Sequence, residues 1–252
     1  MTIQNPMRLA EHDRSGWPGL LDEWAQSSDV MLDLAGVSFD QGTPGGDEGQ
    51  RFVDLVLEAN ALHRVLFSGA VFVGPIHFRA AQWTAETVEM RMTDFSVVVF
   101  DGCEFVGSTF RFVAGRVGRG SLRQVRFPPI TQIACIFEFE GAFDDSVLGA
   151  ETDFECEWQN CTASLRGVQF GAISTRFTSN EFADVDFSGV RVSDGALVEF
   201  DDNLFGGELI VANISGNPRF VIELNRVMRT TDTGVRIDED QTVLDPFVNA
   251  FN

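Results

Sequence analysis

Apolar residues along this chain return at intervals of five. Phe177, Phe182, Phe187, Val192 and Leu197 keep that step, as do Phe95, Phe100, Phe105 and Phe110 and, nearer the start, Phe52, Leu57, Leu62, Phe67 and Phe72. A shifted run follows at Phe200, Phe205 and Ile210. Neither regular element produces this pattern, because an amphipathic helix repeats at three and four and a half-buried strand at two. A step of five therefore needs another geometry. Between the runs the frame slips by one residue, from Phe72 to Phe78 and from Leu148 to Phe154, which predicts corners or small bulges. From Arg111 to Pro129 it survives as Phe112, Val117, Leu122 and Phe127, and around Asn160 it is lost.

The neighbours of each central residue repeat too. Two places before it the chain is small (Ala70, Cys103, Ser108), one place before it is short and polar or charged (Glu104, Thr109, Glu181, Asp186), and glycine often stands two after (Gly69, Gly102, Gly107, Gly189). In "VLFSGAVFVG", "VFDGCEFVGSTF" and "NEFADVDFSGV" the pattern resembles the pentapeptide-repeat family, in its phenylalanine-rich, degenerate form. The resemblance implies an all-β fold, a right-handed quadrilateral β-helix in which five residues make one side and four sides one coil. At about twenty residues per coil, residues 52–225 give eight or nine coils and, at roughly 4.8 Å per layer, a rod of about 40 Å. The flanks lack the five-residue frame and are expected to be caps that keep the open ends from associating. Residues 1–51 hold a short helix at "PGLLDEWAQ" and a loop, "DQGTPGGDEGQ"; residues 226–252 end in "VLDPFVNAF", a tail suited to covering the last coil or to forming a homodimer.

Composition narrows the chemistry. The 18 basic residues are all arginine, tyrosine is absent, and 24 phenylalanines remain. Without lysine, a phosphate-binding loop of the usual kind cannot form. His12, His63 and His77 stand far apart, and His77 falls on an outward position, so neither catalysis nor metal binding is expected of them. Cys103, Cys135, Cys156 and Cys161 are read as reduced thiols filling small inward sites, since no secretion signal precedes them. A metal would require Cys103 or Cys135 to stack beside Cys156 and Cys161. No cofactor and no metal are therefore expected, and no apolar stretch is long enough to span a bilayer, so the expectation is a cytoplasmic protein without membrane contact. A carbohydrate-cleaving β-helix enzyme remains an alternative, against which stand the narrow sides and the missing export signal.

Charge points to a partner. The formal net charge is -20, a field that repels nucleic acid and favours basic proteins. Between Phe137 and Leu165 stand eight acids and no base: Glu138, Glu140, Asp144, Asp145, Glu151, Asp153, Glu155 and Glu157. A second acidic set, which includes Asp184 and Asp186, follows. Arg111, Arg116, Arg119, Arg123 and Arg126 form the one basic island, expected to pair with neighbouring acids rather than to bind phosphate. The best understood members of the family resembled here imitate duplex DNA and bind type II topoisomerases. The resemblance thus implies a non-enzymatic acidic protein that fills a basic DNA groove on a partner such as DNA gyrase, using the ten acids named above. The alternative is a structural scaffold that makes its contacts through the rod ends.

Overall fold

A computed structural model describes residues 6–27, 30–39, 48–58, 64–66, 70–78, 82–83, 87–113, 115–231 and 234–251. The chain is mostly β, with 46% strand and 17% helix, and nearly all strand pairing is parallel. Seven strands form one sheet: Thr87–Arg91, Thr109–Val113, Ile130–Ile133, Glu151–Phe154, Ser174–Thr178, Leu197–Asp201 and Arg219–Glu223. An eleven-stranded sheet runs from Ser38–Phe39 through Asp94–Val99, Arg116–Ser121, Ile136–Ala142, Glu157–Ser164 and Glu181–Asp186 to Arg226–Thr231, and closes with the antiparallel strand Gly234–Glu239. Isolated parallel bridges along Glu104, Arg126, Val147, Gln169, Arg191 and Ser215 mark a third side. The chain visits these sides in the same order in each layer, so the strands are the rungs of stacked coils.

Register gives the coil length. Thr109, Ile130, Glu151, Ser174, Leu197 and Arg219 stand over one another, which makes successive advances of 21, 21, 23, 23 and 22 residues. The step is therefore not a strict four times five. On the coil that begins at Phe177, the residues Phe182, Phe187 and Val192 are buried as the period requires, but Leu197 is half-exposed, and Val198 and Phe200 face inward instead. The corner that closes the coil takes more residues than the others, and the seven-stranded side then alternates in and out as an ordinary strand does.

The interior is a set of aligned side-chain columns. One runs Phe39, Phe72, Phe95, Val117, Phe137, Trp158, Phe182, Phe205 and Val227 through consecutive layers. Its rings stack, with Trp158 and Phe182 centroids 5.0 Å apart at 15° and Phe182 and Phe205 5.1 Å apart at 22°. A second column stacks Phe154, Phe177 and Phe200 at 5.1 and 4.8 Å. Each fully buried ring contributes about 1.5–3 kcal/mol of transfer free energy, which is why the chain keeps phenylalanine at fixed steps. Where the rings are largest, the facing positions shrink: a Cβ on Gly120 would collide with Phe137, and one on Gly141 with Trp158.

The corners explain the glycines. Gly102, Gln124, Asp145, Gly167 and Gly189 each follow a buried residue by two and take positive φ of 72°, 57°, 57°, 67° and 74°. That left-handed backbone costs a residue with a side chain about 1 kcal/mol, and glycine nothing comparable. At the corner leading into the eleven-stranded sheet, coils with an extra left-handed residue (Met92, Ser179, Asp202, Leu224) take five residues from ring to ring, whereas Ile133 to Phe137 and Phe154 to Trp158 take four. Of the frame slips, Phe72 to Phe78 is a bulge within the eleven-stranded sheet, where the register shifts between Phe72 and Pro75, and Leu148 to Phe154 is the longer corner that closes the coil.

Both ends depart from the expected boundaries. Residue 52 does not open a coil: Glu48–Glu58 is a helix, because Gly49, Phe52, Val53 and Val56 make one buried stripe at helical spacing. Phe52 lies against Phe39 and Phe72, centroids 5.2 and 6.4 Å away, so this helix sits over the first rings. Another helix, Trp17–Gln26, carries Trp17 onto Phe39. The first layer of the long column, Phe39, belongs to the segment read as a cap, and Leu62, Phe67 and Gly69 lie outside the described residues. At the other end, Arg226–Thr231 continues the eleven-stranded sheet beyond 225, and the short helix Asp245–Asn249 inserts Phe247 among Phe187, Phe200 and Phe220 at 4.7, 5.6 and 5.9 Å.

Candidate interaction surface

The ten acids predicted as a binding surface do not form one patch. A run from 137 to 165 is longer than one coil, so its carboxylates fall on each side in turn. Five of them meet arginine: Glu138 with Arg116 at 3.5 Å, Glu140 with Arg123 at 2.8 Å, Asp144 with Arg166 at 3.2 Å, Asp153 with Arg176 at 3.4 Å and Asp186 with Arg166 at 3.9 Å. The basic island is largely consumed in these and similar pairs, since Arg111 reaches Glu89 at 3.6 Å and Arg126 reaches Glu104 at 3.4 Å. Such exposed pairs contribute only about 0–1 kcal/mol each, but they cancel charge locally.

The cancellation differs between sides. On the seven-stranded sheet one outward row reads Glu89, Arg111, Gln132, Asp153, Arg176, Glu199, with Arg176 bridging Asp153 at 3.4 Å and Glu199 at 3.2 Å. On the eleven-stranded sheet the corresponding row reads Arg116, Ile136, Glu157, Glu181, Leu204, Arg226, so two carboxylates stack in adjacent layers, each separated from the nearest arginine of the row by an apolar residue. Glu155, at the corner before Glu157, is exposed. Glu151 and Asp145 are exposed as well, and Asp184 accepts the backbone N–H of Glu208 at 2.6 Å and has no arginine partner among the described residues.

Asp144 is the exception, a carboxylate at the corner that is only 8% exposed. Its Oδ1 accepts the Ser164 hydroxyl at 2.5 Å and its Oδ2 the Arg166 guanidinium at 3.2 Å. Burial would raise its pKa, but the bonds from Ser164 and Arg166 and the guanidinium's charge together bring it below the ordinary carboxylate value. Asp144 holds successive coils together and presents little charge. Asp101 does the same two coils earlier, accepting Ser121 Oγ–H at 2.6 Å and the Arg123 N–H at 2.9 Å. These carboxylates line an open groove of about 650 Å³.

Beside that corner lies a hollow of about 420 Å³, lined by Phe139, Glu140, Asn160, Thr162, Asp184 and Arg123 among others. Bulges create it. Phe137 to Phe143 spans six residues and Trp158 to Leu165 seven, where the sheet register shifts, and the surplus chain is pushed outward. Phe139 is 62% exposed as a result, in a chain whose rings are otherwise mostly buried.

Thiols and imidazoles bring no chemistry together. Cys135 and Cys156 stack inside adjacent coils, Cys103 Sγ bonds the Phe78 carbonyl at 3.0 Å, and Cys161 is half-buried on the bulged side. Burial pushes Cys161 up to about 11, and burial, with a bond to Cys156, raises Cys135 well above an ordinary thiol. Among the described residues no three metal-ligating groups converge, and His63 lies outside them. No helix among them is long and apolar enough to cross a membrane.

Sequence reasoning missed an asparagine ladder. Asn180, Asn203 and Asn225 stand two places before their central residues, in the small inward site, and each is buried. Asn180 Nδ2 donates to Asn203 Oδ1 and to Phe154 O, both at 2.9 Å, and Asn203 Nδ2 repeats this with Asn225 Oδ1 at 2.9 Å and Phe177 O at 2.8 Å. The signal was the spacing of 23 and 22 in "SNEF", "DNLF" and "LNRV". No family model, curated protein or solved structure matches the chain.

Proposed function

We propose that this chain is a non-enzymatic binding protein whose eleven-stranded side offers an acidic strip to a basic groove on a protein partner. The supporting observation is Glu157 over Glu181 in adjacent layers with no arginine between them, next to exposed Glu155. Such stacked carboxylates cost folding free energy, so a counter-charge from outside gains what the chain itself leaves unneutralised. The coils, from the layer of Phe39 to Arg226–Thr231, are read as a right-handed quadrilateral β-helix of the pentapeptide-repeat kind, with the helices Trp17–Gln26, Glu48–Glu58 and Asp245–Asn249 against its ends. That resemblance suggests a type II topoisomerase such as DNA gyrase as the partner, met in the cytoplasm and without direct nucleic-acid contact. Duplex DNA carries one charge per about 1.7 Å of axis, whereas a layer here rises about 4.8 Å, so the imitation is confined to the strip rather than the whole rod.

The test is gyrase supercoiling with this protein titrated in at two salt concentrations, with and without a quinolone. Salt-sensitive inhibition or drug protection is expected, and the double substitution Glu155→Arg with Glu157→Arg should abolish it while the fold persists. No effect of the native protein at any ratio removes the topoisomerase, and an unchanged effect of the double variant removes the strip.

A further inference from the structure

The bulged hollow beside the strip has a composition suited to one kind of guest. Its floor and rim bring together an aromatic ring, two carboxylates and one guanidinium. Arg123 already pairs with Glu140 at 2.8 Å, so Asp184 is left as the carboxylate without a cation. Phe139 stands 62% exposed at the same hollow, held outward by the register shift between Phe137 and Gly141. A single exposed ring is not unusual by itself, but a ring face in a hollow beside an unneutralised carboxylate favours a cation over a neutral apolar group. Asn160 and Thr162 supply neutral polar groups around it. A planar guanidinium, with five donors and a face that stacks on aromatics, matches this set better than a compact ammonium.

We infer that the hollow at Phe139 and Asp184 receives a single arginine side chain of the protein partner, stacked on the Phe139 ring and bonded to the Asp184 carboxylate. The inference rests on the acidic-strip reading and names the anchor within it. The hollow lies on the same sheet as Glu157 and Glu181, so a basic segment crossing the strip would place one arginine there while its other charges meet the stacked glutamates.

The experiment measures binding of a labelled polyarginine peptide, and of a polylysine peptide of equal length, to the intact protein and to Phe139→Leu, Phe139→Trp, Asp184→Asn and Glu157→Arg. Thermal melts of each variant confirm folding, which the outward positions of these side chains favour. Polyarginine is expected to bind more tightly than polylysine. Phe139→Leu should weaken polyarginine about fivefold and Phe139→Trp should preserve or tighten it, since tryptophan offers the better cation-binding face. Asp184→Asn should weaken binding and flatten its salt dependence. Equal losses in the leucine and tryptophan variants, no loss in Phe139→Leu, or no loss in Asp184→Asn overturns the inference. Binding that falls with Glu157→Arg but not with Phe139→Leu rejects the hollow and leaves the strip standing. A Phe139-dependent arginine site in a protein that does not affect gyrase keeps the hollow and discards only that partner.

Discussion

The two large sheets are built from the same coils, yet their outer faces differ in regularity and in what they expose. None of the pairings of the seven-stranded sheet carries a register shift, and along its central row Arg176 sits between Asp153 and Glu199, with Asp201 over Glu223 the stacked carboxylates at the sheet's far end. The eleven-stranded sheet shifts register at several pairings, stacks Glu157 on Glu181 and exposes Phe139. The contrast separates two tasks. One side is regular and bridges its central charges from layer to layer; the other bulges, leaves Glu157 and Glu181 without an arginine partner among the described residues and exposes an aromatic ring, which is where a binding partner would gain most.

The sharpest way to test that division is to remove a ring from each side. Phe177, wholly buried and stacked between Phe154 and Phe200, should cost about 3–5 kcal/mol as Phe177→Ala, because the rigid coils above and below cannot collapse into the void. Phe139→Ala should change stability by less than about 0.5 kcal/mol. Urea melts of the two variants decide this, and similar losses would mean that Phe139 is part of the core.

A middle-sized effect is expected where the two sheets meet. Asn203→Ala removes the partner of Asn180 and leaves the Phe177 carbonyl without its Nδ2 donor, so about 1–3 kcal/mol should be lost in the same assay. Amide exchange should quicken in the layers around Asn180 and Asn225, and exchange unaltered there would show that the ladder is not a linked unit.

The smallest effects should differ in sign. Arg176→Glu breaks two pairs and places like charges together, destabilising by about 1 kcal/mol or less. Glu157→Arg relieves the repulsion with Glu181 and should stabilise by a few tenths of a kcal/mol while it weakens binding. Melting in low salt resolves the pair, and a fall in stability for both variants would erase the distinction between the faces.

Much of the architecture was legible in the chain. A step of five among Phe95, Phe100, Phe105 and Phe110 marks residues that are all buried, and the small site is inward at Ala70, Cys103, Asn180, Asn203 and Asn225, whereas Ser108 before Phe110 is exposed. The stripe at Phe52 misled, since its helical neighbours Gly49, Val53 and Val56 compete with the five-residue reading over too short a span to separate them. The acids were found, but their grouping was not: sequence adjacency between Glu138 and Glu157 carries no information about which sides of a coil they reach.

Local chemistry explains that boundary. Which residues face inward follows from apolar burial repeated along the chain, and one sequence is enough to determine it. Which outward residues become neighbours depends on coil length, and coil length varies from layer to layer with the left-handed residue at Ser179 or Asp202 and with the surplus chain in the bulges at Phe139 and Asn160. A one-residue change in any corner moves every outward charge beyond it relative to the layer below. The stacking of Glu157 on Glu181, the arginine bridges opposite them and the hollow at Phe139 were therefore decided only when the coils closed on one another.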